Sequence, residues 1–516
     1  MASYLFLMFH AEHKDGGIVL NERLCQAMAE RHDVHLLSVG NHPDIPGVNV
    51  VPLLDDAVPE HRREEFESHT GTVGGYSEKI KIHLADRSPA ELGLPSGPDG
   101  VDFVVGYSDV TGGAALWIRD RFYPEARVGA ALTMDPEAVL AVHGKPELGR
   151  RRVERHREVF LESDVVLAHG VKTADDAKRI IGADEVGGAR PPIHTFIPGN
   201  DVGGPPPPPR GRDDPFNVLM LGRMDDLNKG AVDGALAVQN MRRGGYADTR
   251  LTLLGTQNMD IDAFHAWLGE DLDADSREFV DIRDFTPSRE EISAAIAEAD
   301  VVLASPVSES YGLAYAECAS AGTPVVATEG NGNGFASVLK DGRLVPPEVG
   351  AMLVIDDNGS TNHDNARMGT GPATRLKRFE VISAKLMDVH DNPDAYHQAA
   401  LALQNELRNY SHRDAANGIH AAMEHVRDGG TQDTFQRPGG RIDRVTAVAH
   451  EGGGSGPGAS RTHDRSSDAP RAMDLLGRGR PVNPPAARAS EGASPGSLPP
   501  DTRNRAREER GSGIGD

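Results

Sequence analysis

Two glutamates eight positions apart, Glu309 and Glu317, stand in the string Ser305-Pro306-Val-Ser-Glu309-Ser-Tyr-Gly312-Leu313-Ala-Tyr-Ala-Glu317-Cys-Ala-Ser-Ala-Gly322-Thr-Pro-Val-Val. An ionised carboxylate can accept two hydroxyl hydrogen bonds at once, which suits a ribose cis-diol or neighbouring hydroxyls on a hexose. Two such groups would grip both ends of a nucleotide sugar. As an arbitrary pair they read more simply, as one acid favoured by a helix dipole and another on a solvated face. A second group, Gly222-Arg223-Met-Asp-Asp-Leu-Asn-Lys229-Gly230, sets a guanidinium fork and an ammonium point charge just ahead of a helix start, an arrangement able to hold a diphosphate. The plainer reading is two solvated side chains. Only 10 of the 54 basic residues are Lys, so placing one at 229 departs from the chain's preference for Arg and favours the phosphate role.

These residues need strands and helices to aim them. Tyr4–Phe9 is an apolar run of strand length, followed by a turn containing Gly16 and Gly17, then Leu20, Leu24, Ala27 and Met28 at helical spacing, then a strand-like Val34–Val39. That is a βαβ unit. The alternation returns at Phe103–Val105, Val128–Thr133 and Val165–Leu167, so residues 1–197 are expected to form one α/β domain. The segment 198–215, with Pro205 to Pro209 inside it, can continue neither a helix nor a central strand and is read as an extended linker.

The pattern then restarts with strands at Phe216–Leu221, Leu251–Leu254, Val301–Ala304 and Pro324–Ala327, and a helix from Ala231 through Met241. Ser288 and Glu291 stand at capping-box spacing and predict a helix ending near Ala299. Gly322 reads as a helix C-cap. Residues 216–427 are therefore expected to form a second doubly wound domain with closing helices, carrying a polar surface insertion at 355–373. From Asp428 to Asp516 Gly, Pro, Ser and Arg dominate, and the segment reads as a disordered tail. In open α/β sheets ligands bind beyond the carboxyl ends of the strands, where both candidate groups fall.

Composition narrows the partners. A formal net charge of -24 opposes general binding to nucleic acid or anionic membrane. Cys25 and Cys318 are far apart, with no C-x-x-C spacing, so neither a disulfide framework nor a thiolate metal site is indicated. A reducing cytoplasm fits best. Tyr4–Phe9 is too short to span a membrane and lacks the flanks of a signal peptide, and no apolar run elsewhere approaches the length of an integral membrane segment. Oligomeric state has no signature here.

The string from Ser305 to Val326 resembles the signature of retaining GT-B glycosyltransferases, especially glycosyltransferase family 4: a Ser-Pro strand end, E-x7-E with Gly three residues after the first Glu, then Ala-x-Gly-Thr-Pro-Val-Val. Matching positions occur at Gly222-Arg223, Lys229-Gly230, the Gly16-Gly17 turn and the glycine loop Gly330-Asn-Gly-Asn-Gly334, so the resemblance extends over roughly residues 1–427. It implies an α/β fold of two Rossmann-like domains facing a central cleft. It also implies transfer of a sugar, of hexosyl type, from a nucleoside-diphosphate sugar to an acceptor hydroxyl or amine. Anomeric configuration would be retained, with no metal and no cofactor beyond the donor. Glu309 would contact the transferred sugar, Glu317 the ribose, and Arg223 and Lys229 the diphosphate; Gly17 would offer a backbone amide, with Gly312 and Leu313 completing the donor site. Asp135 is a departure, because many members carry a catalytic His there. An Asp can hold a sugar hydroxyl but cannot make a neutral imidazole's hydrogen bonds, which keeps a second reading open: a catalytically silent nucleotide- or sugar-binding protein or accessory subunit.

Other chemistries fit less well. Asp260-Ile-Asp262, Asp271-Leu-Asp273 and Asp273-Ala-Asp275 match a metal-binding D-x-D but lie in an acidic stretch that reads as a solvated face. Neither Gly16-Gly17 nor the glycine loop has dinucleotide-binding G-x-G-x-x-G spacing. Arg150–Arg157 is diluted by Glu147, Glu154, Glu158 and Glu162 and reads as a solvated helix face rather than a local membrane or acceptor contact. Heavy use of Arg, Ala, Gly and Pro fits a GC-rich genome, where a small-molecule natural product is an acceptor class to consider beside a glycan.

Overall fold

The computed structural model describes residues 1–9, 16–40, 42–70, 72–182, 190–200, 214–257, 259–329, 332–357 and 378–445. Pro205 to Pro209, most of the 355–373 insertion, Gly330 and Asn331, and residues 446–516 lie outside them. Within Met1–Val448, which forms a single compact unit, the described residues build two parallel sheets flanked by helices.

The first sheet takes β1 (Ser3–Phe9), β2 (Asp33–Val39), β3 (Asn49–Leu53), β4 (Phe103–Tyr107), β5 (Arg127–Leu132), β6 (Val165–His169) and β7 (Ile193–Phe196). The second takes β8 (Asn217–Leu221), β9 (Arg250–Thr256), β10 (Val280–Asp284), β11 (Val301–Ala304), β12 (Val325–Thr328) and β13 (Val354–Ile355). Their orders are β7-β6-β5-β4-β1-β2-β3 and β10-β9-β8-β11-β12-β13, and every pairing among these strands is parallel. Both orders reverse beside the domain's first strand, so the crevices open at β1/β4 and β8/β11. The central strands are buried on both faces, which is why they read as unbroken apolar runs. Helix starts follow local chemistry: the Ser288 hydroxyl accepts the Glu291 amide at 3.2 Å, opening the helix Arg289–Glu298.

Two expectations about the C-terminal part are corrected. The last helix, His412–Arg427, does not pack on the second domain. Ala415, Ala416, Ile419, Met423 and Val426 join the core formed by Tyr4, Phe6, Leu24 and Phe103 of the first. Gly199 allows the crossing, since a β-carbon there would fall 1.9 Å from the His412 nitrogen.

Nor are residues 428–445 a disordered tail. Strand β14 (Thr434–Gln436) adds parallel to β7, and β15 (Ile442–Arg444) adds antiparallel to β14. Asp433 anchors the segment by accepting both ends of the Arg190 guanidinium, at 2.8 and 2.9 Å, and the Ile193 amide at 2.8 Å. The buried Gln436 accepts the Ile197 amide at 2.9 Å. Three-residue strands in a Gly/Pro/Arg-rich context carry no periodic signal, and pairing with β7 is what orders them.

Candidate active site

The loops after β8 and β11 are joined at Asn228, whose backbone carbonyl accepts the Val307 amide at 2.7 Å. The Asp226 side chain caps a 3-10 turn, Leu227–Lys229, by accepting the Asn228 amide at 2.9 Å. The Asn228 side chain then bonds reciprocally to the other loop: Nδ2 donates to the Ser308 carbonyl at 2.6 Å, and Oδ1 accepts the Ser308 backbone amide at 2.9 Å. Gly230 follows with φ +72°, and a β-carbon on it would sit 2.1 Å from the Ser305 carbonyl oxygen. No other residue tolerates both the backbone angle and that approach. The join brings Lys229 Nζ to 2.7 Å from Glu309 Oε2.

Glu309 is further fixed by its own backbone. Its amide donates to the Gly332 carbonyl at 3.2 Å, and its carbonyl accepts the Gly334 amide at 2.8 Å. Burial alone would push its carboxyl pKa up, but the Lys229 charge and hydrogen bond and the Ser310 amide outweigh it and hold the group below its usual range. The site therefore carries an ionised acid against a cation.

Gly312, at φ +85°, caps the helix Leu313–Ser320, and Leu313 is its first residue. Across the interface, Gly16 and Gly17 are the first described residues of the helix Gly16–Ala29, and a β-carbon on Gly16 would meet Leu313 Cδ1 at 3.3 Å. Gly16 and Gly17, expected in a turn, are thus helical, and Gly16 touches the start of the second domain's candidate helix. Glu317 lies on the second turn of that helix. It is one-third exposed and pairs with Arg289 Nη1 at 3.1 Å. Arg223 is about half exposed, with Asp226 at 3.7 Å, and Asp226 also meets His143 of the first domain at 3.3 Å.

Asp135 is committed elsewhere. One oxygen caps the helix Pro136–Val142 by accepting the Glu137 amide at 3.1 Å, and the other accepts from Arg179 at 2.8 Å. The Glu309 loop meets the first domain instead at the end of β6 and the start of the helix Val171–Ile181. The Thr173 hydroxyl lies 2.9 Å from the His169 carbonyl oxygen and 3.2 Å from that of Ser310. The His169 ring stands edge-on to Tyr311, with centroids 6.3 Å apart. Burial pulls the His169 pKa down to about 4, against the opposing pull of Glu309, so the imidazole is neutral at neutral pH. Asn228, His169 and Arg289 were not singled out from sequence. Position after a strand was the available signal for His169, while Asn228 and Arg289 had none beyond neighbouring a candidate residue.

Among the described residues no cluster of three or more His, Cys, Asp or Glu could hold a metal ion. Asp260 caps a helix by accepting the Ala263 amide at 2.8 Å. In the Arg-rich helix Pro146–Glu162, Arg152 forks onto the buried Asp109 at 2.8 Å through both nitrogens, while Arg155 pairs with Glu158 on the surface.

A family model described as Family 4 Glycosyltransferase in conflict systems matches residues 10–419. The chain belongs to this family. A family 4 glycosyltransferase moves a sugar from a nucleoside-diphosphate sugar, and the chain's fold agrees with that membership. Sucrose-phosphate synthase from Thermosynechococcus elongatus is similar at 14% identity and TM-score 0.57, over 83% of this chain and 100% of that one. The α,α-trehalose 6-phosphate synthase of Burkholderia multivorans is similar at 13% identity and TM-score 0.54, over 83% and 100%. Anabaena HepE, solved in complex with UDP, is similar at 12% identity and TM-score 0.52, over 82% and 100%. At these identities the likeness is one of fold, the GT-B arrangement of two Rossmann-like domains. No curated protein matches the chain. No helix among the described residues is long and apolar enough to cross a membrane.

Proposed function

We propose that this family 4 glycosyltransferase is a metal-independent retaining enzyme whose donor sits between the Lys229 and Glu309 loops and the edge of the first sheet. The observation that carries the reading is the Lys229–Glu309 pair at 2.7 Å, formed by loops that leave two neighbouring strands at their carboxyl ends. Lys229 and Arg223 take the diphosphate, Glu309 a hydroxyl of the transferred sugar, and Glu317 the ribose. Gly17 presents an amide to the phosphates, and Gly312 and Leu313 frame the sugar at a helix N-terminus. In the transfer the acceptor oxygen bonds to the anomeric carbon on the face the diphosphate leaves, and the diphosphate oxygen takes the acceptor proton. The protein's main contribution is charge stabilisation on the leaving group by fixed cations. Asp135, with both oxygens engaged, is given no contact with the sugar.

The complex of HepE with UDP and glucose makes UDP-hexoses the first donors to test, with small-molecule natural products and glycans as acceptors. Nucleoside diphosphate release from a panel of nucleotide sugars, read by mass spectrometry, is the direct assay. Glu317→Ala and Lys229→Ala are expected to weaken nucleotide binding, and Glu309→Ala to reduce transfer with nucleotide binding retained. Unchanged nucleotide affinity in both of the first two variants would sink the site assignment. The commitment of Asp135 favours one second reading, a silent nucleotide-binding protein, for which nucleotide would bind while no donor is turned over.

A further inference from the structure

Beneath the turn that leads into Glu309 lies Arg378, 1% exposed. Arginine is almost never buried to this extent unless fully paired. Its guanidinium is engaged on every nitrogen: Nε donates to Asp357 Oδ2 at 2.8 Å, and Nη1 to Asp233 Oδ2 at 3.3 Å and the Ser305 carbonyl at 3.0 Å. Nη2 donates to the Pro306 carbonyl at 2.9 Å and Thr328 Oγ1 at 2.5 Å.

The partners come from separate pieces of the second domain. Asp233 stands in the first turn of the helix Ala231–Arg243, immediately after Lys229 and Gly230. Ser305 and Pro306 begin the loop that carries Glu309. Thr328 ends β12, ahead of the glycine loop, and Asp357 follows β13. Arg378 itself lies in the helix Arg378–Asp391. One rigid planar group therefore ties the start of the Lys229-side helix to the start of the Glu309 loop.

If charge pairing alone were at stake, an apolar cluster of the same volume would serve as well or better. What an apolar cluster cannot do is orient backbone carbonyls, and two of the five bonds go to the consecutive carbonyls of Ser305 and Pro306. We propose that Arg378 is a positioning residue for the donor site, setting the Ser305–Pro306 turn and the Asp233 helix start so that Glu309 and Lys229 meet. This rests on the reading of that pair as the donor site. Arg378 touches no substrate and acts through the loop.

Hydrogen–deuterium exchange on the full chain without ligand reads the loop directly, through the Glu309 amide on Gly332 and the Gly334 amide on the Glu309 carbonyl. Arg378→Lys keeps the charge and loses the fork; Thr328→Val removes one acceptor. Exchange at Glu309 and Gly334 is expected to quicken by about tenfold in Arg378→Lys and by less in Thr328→Val, while the helix His412–Arg427 in the first domain exchanges as in wild type. In nucleoside diphosphate release from UDP-, GDP- and ADP-hexoses, kcat is expected to fall by about tenfold with UDP and GDP binding held within about threefold. Glu309→Gln should then cost less in the Arg378→Lys background than alone. Loop exchange unchanged from wild type in both variants overturns the proposal, as does exchange rising equally throughout the chain, the mark of a merely structural role. Should Arg378→Lys fail to fold, Thr328→Val decides by the same loop readout. If Glu309→Gln leaves release untouched while loop exchange rises, the donor-site reading fails and the brace remains.

Discussion

At the scale of single residues, the candidate site is an acid and a cation held in contact, Glu309 against Lys229 at 2.7 Å. Arg289 allows Glu317, the proposed ribose contact, to be examined separately. Its pair with Glu317 is largely exposed, and exposed pairs contribute about 0–1 kcal/mol. Arg289→Ala should therefore change nucleotide affinity by less than about fivefold, whereas Glu317→Ala should change it more, as titration calorimetry with UDP and GDP would resolve. His169 makes a prediction about pH. Its pKa of about 4, like those of the buried His83 at about 4 and His194 at about 3, lies below the unfolded value, so the folded state binds fewer protons. Stability from these groups is then complete above about pH 6.5 and is lost as pH falls toward 4. Urea unfolding at pH 7 and pH 5 should show a loss on the order of a few kcal/mol. Equal stability at the two values would mean these histidines are hydrated.

At the scale of elements, the loops matter more than the helices they precede. Gly230 joins a left-handed backbone to a contact on Ser305 that leaves no room for a β-carbon. Gly230→Ala should destabilise the fold by about 1–3 kcal/mol and lower transfer further by parting Lys229 from Glu309, visible as a lower melting temperature with a disproportionate fall in kcat. Asn228 is the polar counterpart. Asn228→Ala deletes both bonds to Ser308 and should leave the buried Ser308 carbonyl without that donor, at a cost of about 1–3 kcal/mol in a thermal or urea melt.

At the scale of the whole molecule, the chain returns to its own beginning. The final helix and β14 pack on the first domain, so the two halves are joined twice, once at Pro198–Asn200 and once at Tyr410–His412. Asp433→Ala removes the partner of Arg190 and of the Ile193 amide and is expected to cost about 2–4 kcal/mol. A chain ended after Arg427, which loses β14 as well, should melt lower still by differential scanning calorimetry. A melting temperature equal to that of the full chain would mean that β14 adds nothing to the first sheet.

Much of this was legible beforehand. Strands buried on both faces are mostly apolar, so β1, β8, β11 and β12 announced themselves, and the Ser288 cap announced its helix. The glutamate and lysine candidates were visible because positions just after such strands are where side chains can converge. Tertiary structure alone decided who meets whom. Glu309 and Lys229 are 80 positions apart, Arg378 and Ser305 73, and His194 and Thr434 240. Contacts of that separation leave no periodicity in sequence, because each depends on where two sheets and their crossing helix come to rest. The same holds for Asp135, whose carboxylate is a helix cap and an arginine partner only once Arg179 is folded against it. Local pattern determines which segments become strands and helices. The burial of an arginine, the neutrality of a histidine and the aim of a glutamate depend on the neighbours that only the completed packing supplies.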